Sequence, residues 1–85
     1  MEINTTALVP LVHLNGDSKQ TLVDSWTKLM LDIAKIEMPE VHGRNYYPKG
    51  DDAPAEAIDA RMELKKALTQ IHDVAMTVAI QTAKQ

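Results

Sequence analysis

The sequence predicts an all-α protein: two long antiparallel helices forming a helical hairpin, preceded by an extended N-terminal arm and assembled as an oligomer. Three observations predict it. Apolar residues recur at alternating spacings of four and three in two segments: Leu22, Trp26, Leu29, Ile33 and Ile36, then Leu64, Leu68, Ile71, Ala75 and Val78. That is the period of a helix with one buried face. Ala, Leu, Ile, Val and Met dominate, with no Phe and one Trp, which favours helix packing over a sheet sandwich. Finally, the 85 residues contain no cysteine. A single domain, residues 1–85, of that size has marginal stability alone and no disulfide or thiolate metal site to support it. Burial against another chain is the remaining route.

The arm comes first. Residues 1–14 read poorly as helix. Asn4, Thr5 and Thr6 are polar, and the apolar run Ala7–Leu14 is interrupted by Pro10. The proline removes an internal helix bond and pushes Val9 to extended geometry. The run is too apolar for water, so it should lie on the helices or cross to a neighbour. Asn15-Gly16-Asp17-Ser18 is a turn and a helix start. Asp17 is a good N-cap with Gln20 three residues on, and Ser18 is the alternative. The first helix should run from about Ser18 to Met38. Val23, Met30 and Leu31 widen its apolar stripe, Asp24 and Lys28 form an i,i+4 pair, and Pro39 ends it.

Residues 39–52 hold two prolines, two glycines and both tyrosines. The loop is longer than most helix connections, and such loops are disordered or functional. The tyrosines argue against disorder. The second helix should start near Asp52, with Pro54 in the first turn where its missing N–H does no harm, and reach about Thr82. Ile58, Met62, Val74, Met76 and Ile80 lie off its seam. Val74–Ile80 is nearly apolar all round and must be buried on all sides, which again points to another subunit or the arm. At ~1.5 Å per residue the helices span roughly 30 Å and 45 Å.

The net charge of −3, without a basic stripe, argues against binding duplex nucleic acid. The start Met1-Glu2-Ile3-Asn4 lacks the positive region of a secretory signal, and no apolar run approaches the length of a membrane span. The expectation is a cytosolic protein without a membrane partner. His13, His42 and His72 have no metal-ligand spacing, and His72 and Asp73, being adjacent, should point to different sides of their helix. Glu56, Asp59 and Glu63 read as a solvated acidic face near Arg61, Lys65 and Lys66. No serine sits in a nucleophile elbow and no phosphate loop precedes a Lys-Ser/Thr pair. The expectation is therefore no enzyme, no cofactor and no metal.

One set of residues suits a ligand. Arg44 forks onto phosphate and Tyr46 and Tyr47 offer rings for stacking. Asn45 and Lys49 share the loop. His13, Asn15, Gly16 and Ser18 surround the first helix start, where free N–H groups and the dipole favour an anion. A hairpin separates the two groups by about 30 Å, so a joint site requires a neighbouring subunit. The structural alternative is that the tyrosines cap the core, Arg44 binds helix-end carbonyls, and Gly43 and Gly50 shape turns.

The segments His13-Leu14-Asn15-Gly16 and Gly43-Arg44-Asn45-Tyr46-Tyr47-Pro48-Lys49-Gly50, each followed by a helix, resemble a family of small phage-encoded proteins. These carry an H-L-N-G-(T/S)-S start and a G-R-D-Y-Y-P-Q-G loop at about this spacing. The resemblance covers most of the chain. It departs at Asp17, at Asn45 for Asp and at Lys49 for Gln; the last two make the loop less acidic, which suits an anionic ligand. The family is mostly without assigned function, but small helical phage proteins of this size include sponges that sequester nucleotide immune signals. The resemblance thus implies an anti-defence role in the host cytoplasm. The protein would bind a cyclic oligonucleotide or an ADP-ribose derivative without cleaving it, as a homo-oligomer. The competing expectation is a phage interaction or structural module that docks a host or virion protein.

Overall fold

A computed structural model describes residues 2–85. It is all-helical, with no strand among the described residues. The elements are α1 (Thr5–Leu8), α2 (Lys19–Ala34), two 3-10 turns (Gly43–Asn45 and Tyr47–Lys49) and α3 (Ala53–Ala83). Residues up to Ile36 together with Gln70–Gln85 form one compact unit, and Glu37–Thr69 form a second.

In the first unit, α1 is a single turn that the sequence reading missed. Asn4 Oδ1 accepts from the Ala7 amide at 3.1 Å, an N-cap strong enough to close one turn in a segment whose composition argues otherwise. The turn stops where Pro10 dictates: Val9 is extended at φ −73° and ψ 115°. The arm beyond it is held by the end of the same chain. The Gln85 carboxamide accepts from the Val12 amide at 2.8 Å and donates to the Pro10 carbonyl. The one carboxamide of Gln85 thus satisfies an amide and a carbonyl two residues apart on the arm.

Ser18, not Asp17, caps α2. Its Oγ accepts from the Thr21 amide at 3.1 Å and bonds Thr21 Oγ1 at 2.9 Å. Leu22, Val23, Trp26, Thr27, Met30 and Ile33 are half-buried, which is the expected stripe shifted slightly round the helix: Leu29, Leu31 and Ile36 stay exposed. The helix ends at Ala34, short of Met38, through carbonyl bonds from Lys35 N to Asp32 O (3.2 Å) and from Ile36 N to Ile33 O (3.1 Å). These 3-10-type closures satisfy terminal carbonyls before the proline is reached. Lys28 pairs with Asp32 at 2.6 Å rather than with Asp24, which is taken by Gln20 Nε2 at 2.7 Å.

The core of this unit sits on the last turns of α3. Ala75, Val78, Ala79 and Thr82 are buried, and the spacing 3, 1, 3 places them on one face. Thr82 satisfies its hydroxyl by donating to the Val78 carbonyl at 2.7 Å, the back-bond open to a threonine inside a helix. Of the run expected to be buried all round, Met76 and Ile80 remain 38% and 46% exposed. His72 and Asp73 do meet, contrary to expectation, with Nδ1 and Oδ1 3.1 Å apart. Long side chains on adjacent helical positions can lean together although their Cβ atoms diverge.

In the second unit, α3 begins at Ala53 with Pro54 at its second position, as the proline predicts. Ala53, Pro54, Ala57 and Arg61 are half-buried, while Leu64 is 61% exposed.

Candidate functional site

The loop 39–52 is built as consecutive tight turns. Asn45 N bonds His42 O at 3.0 Å, Tyr46 N bonds Gly43 O at 2.9 Å, Lys49 N bonds Tyr46 O at 2.9 Å and Gly50 N bonds Tyr47 O at 3.0 Å. The chain then reverses at Gly50, whose φ of 141° and ψ of 160° lie in a region essentially closed to residues with a Cβ. Ala53 N bonds the Gly50 carbonyl at 3.2 Å, which hands the loop directly to α3. From His42 onward the loop is therefore held by local backbone bonds.

This folding brings Tyr46 and Lys49 together on the wall of a cleft of about 570 Å³ within the second unit. Met38, Pro39, Glu40 and Val41 form one side, and Ala53, Glu56, Ala57, Ala60, Arg61 and Leu64 of α3 form the floor. Four charged residues line it, Lys49 and Arg61 against Glu40 and Glu56, so it is balanced in sign. Tyr46 is half-buried there. Arg44 and Asn45, on the neighbouring turn, are exposed and do not line the cleft. Tyr47 is 61% exposed, and its ring edge lies 3.3 Å from where a Cβ on Gly43 would be. A side chain at position 43 would crowd that ring.

Arg61 organises the cleft, and the loop-centred reading did not single it out. Its Nε donates to the Pro39 carbonyl at 2.7 Å and its Nη2 to the Met38 carbonyl at 3.3 Å, with Glu40 Oε1 at 3.5 Å. Its side chain is only 18% exposed. The carbonyl-binding role that the structural alternative gave to Arg44 belongs to Arg61. A signal was present: Arg61 is a charge on the inward stripe of α3, four residues after Ala57 and three before Leu64.

His13, Asn15, Gly16 and Ser18 lie in the first unit, apart in the chain's organisation from the loop group in the second. They form a tight turn, closed by Gly16 N to His13 O at 3.3 Å. The His13 ring lies so close over Gly16 that a Cβ there would stand 2.8 Å from Nε2. All four are exposed. The Ser18 hydroxyl is committed to capping α2, which leaves less of that helix start open to a ligand.

Among the described residues, no three His, Cys, Asp or Glu side chains cluster as metal ligands. No helix among them is long and apolar enough to cross a membrane. Asp59 is exposed and Glu63 pairs with Lys66 at 3.1 Å, as a solvated face requires, whereas Glu56, also exposed, lines the cleft. Comparison with protein-family models, with curated proteins and with solved structures gives no match.

Proposed function

We propose that the protein is a non-catalytic homo-oligomer that binds and sequesters a small nucleotide, a phage anti-defence sponge acting in the host cytoplasm. The observation that carries the reading is the cleft between the loop and the first turns of α3. Its volume of about 570 Å³ falls in the range of small-molecule sites. Tyr46 offers an aromatic face for a base. Lys49 supplies a cation for phosphate, with the exposed Arg44 on the adjoining turn. Glu40 and Glu56 accept hydrogen bonds from ribose hydroxyls or an exocyclic amine. A sign-balanced cleft favours a ligand rich in hydroxyls, such as an ADP-ribose derivative or a cyclic oligonucleotide, over bare phosphate.

The two long helices run antiparallel in this account. Support comes from the first unit, where Lys19 Nζ, at the start of α2, bonds the carbonyl of Gln85, just past the end of α3, at 3.3 Å. Oligomerisation is supported by the small core and the many apolar side chains left in water, among them Leu11, Leu31, Met62 and Leu64, all at least half exposed.

Calorimetric titration with cyclic di- and trinucleotides and ADP-ribose derivatives tests the reading. Saturable heat with one class is expected, weakened at least about tenfold by Tyr46→Ala or Lys49→Ala, with the ligand recovered unchanged from denatured protein. The second reading, a module docking a host or virion protein, is favoured by Leu11 and Leu14, 76% and 101% exposed on the arm. It predicts one stoichiometric partner in a pull-down, lost with Arg44→Ala.

A further inference from the structure

The outward side of α3 carries a pattern that neither the cleft nor the buried seam uses. At 100° per residue, Ile58, Met62, Lys65, Thr69, Asp73, Met76 and Ile80 fall within an arc of roughly 80°. All seven are exposed; the four apolar ones, large side chains, are 49%, 53%, 38% and 46% exposed in chain order. Of the buried residues, Val78 and Thr82 lie across the helix from the arc, and Ala75 and Ala79 lie on its flank.

The order of these residues is palindromic about Thr69. Ile58 and Ile80 are equidistant from it, as are Met62 and Met76. Lys65 and Asp73 are equidistant too, with opposite charge. A second helix of the same sequence, laid antiparallel with Thr69 facing Thr69, sets isoleucine on isoleucine, methionine on methionine and each lysine on an aspartate. A two-fold interface requires such self-complementarity, because every contact must occur twice. Within one helix Lys65 and Asp73 are eight residues, or about 12 Å, apart, too far to pair with each other. Among the described residues Lys65 has no ion pair, and Asp73 meets only the neighbouring His72, at 3.1 Å.

We propose that this stripe is the docking surface for a second copy of the chain, paired antiparallel across α3 with Thr69 on the two-fold axis. The inference rests on the homo-oligomer proposed above and is independent of any nucleotide. Charge complementarity selects this occupant: a parallel copy would set Lys65 on Lys65 and Asp73 on Asp73. The pairing buries the apolar ends of the stripe and leaves the polar centre to set the register, a use of polar residues known from coiled coils.

The absence of cysteine makes the test clean. Facing Cα atoms of two helices with axes 8–10 Å apart approach to roughly 3.5–5.5 Å, which overlaps the span of a disulfide. The full-length Thr69→Cys variant should therefore cross-link to a homodimer under mild oxidation. Met62→Cys mixed with Met76→Cys should yield the mixed dimer in preference to either homodimer. Lys65→Asp alone, or Asp73→Lys alone, should raise the dimer dissociation constant about tenfold, or about 1.4 kcal/mol, and the double exchange should restore it. A chain that light scattering shows to be oligomeric, but that gives no Thr69→Cys cross-link and no rescue, overturns this pairing and leaves the oligomer standing. A monomer at micromolar concentration overturns both. A different protein recovered in stoichiometric complex on the stripe also overturns it.

Discussion

Replacing Arg61 tests how the loop is held against α3. The guanidinium makes two charge-assisted bonds to backbone carbonyls, at 2.7 Å to Pro39 and 3.3 Å to Met38. A hydrogen bond to a charged group contributes about 1.5–3 kcal/mol. The first bond is exposed and the second only part-buried and long, so the lower end applies. Glu40, at 3.5 Å and 72% exposed, adds little, as surface ion pairs do. Arg61→Met keeps an apolar stem on the cleft wall while removing the fork. It should cost about 2 kcal/mol, equivalent to a Tm lower by about 8–16 °C in a domain of this size. Arg61→Lys keeps one donor and the charge, and should lose about half as much. Urea denaturation at one fixed protein concentration reads both, because oligomer formation shifts apparent stability with concentration. If Arg61→Met unfolds within about 0.5 kcal/mol of the parent, the range of ordinary surface substitutions, Arg61 does not fasten the loop and the cleft has no fixed wall.

Two other substitutions give separate readings. Gly50→Ala places a Cβ at φ 141° and should cost about 1–3 kcal/mol, although nothing lies within 4 Å of the added carbon; a loss below about 0.5 kcal/mol in the same urea assay would show that the turn relaxes freely. The Lys28 ammonium bonding Asp32, helped by the nearby charge of Lys35, holds that carboxyl below the usual aspartate range. A depressed folded value means that the pair stabilises the protein above the ordinary aspartate range and loses that contribution as pH falls through the folded value. Lys28→Ala should therefore raise the Asp32 midpoint in a carbon-detected NMR titration; an unchanged midpoint would mean that the pair does not persist in solution.

What the sequence made legible was what is decided locally. The helical period marked α2 and α3, Pro54 marked the start of α3, and Pro10 made Val9 extended. The tyrosine loop was recognisable as ordered because Gly, Pro and paired tyrosines dictate turns over a few residues. What escaped depends on partners distant in the chain. Arg61 reaches carbonyls 22 and 23 residues away, and Gln85 reaches the arm across 73 and 75. The inward-facing charge of Arg61 marks that residue as unusual, but no local pattern names its partners or those of Gln85. The choice of Ser18 over Asp17 as cap and of Asp32 over Asp24 as the partner of Lys28 turned on competition between neighbours equally suited by type. Of the candidate site, Tyr46 and Lys49 come to one cleft, whereas Arg44, Asn45 and Tyr47 stay on the open side of the turns and the His13–Ser18 group belongs to the other unit.

The most direct measurement is calorimetric titration of the parent chain with cyclic di- and trinucleotides and ADP-ribose derivatives, followed by chromatography of the ligand released on denaturation. Saturable heat is expected with one of these classes, abolished or greatly weakened by Tyr46→Ala, with the ligand recovered intact. No heat with any of them contradicts nucleotide binding, and a cleaved product contradicts sequestration.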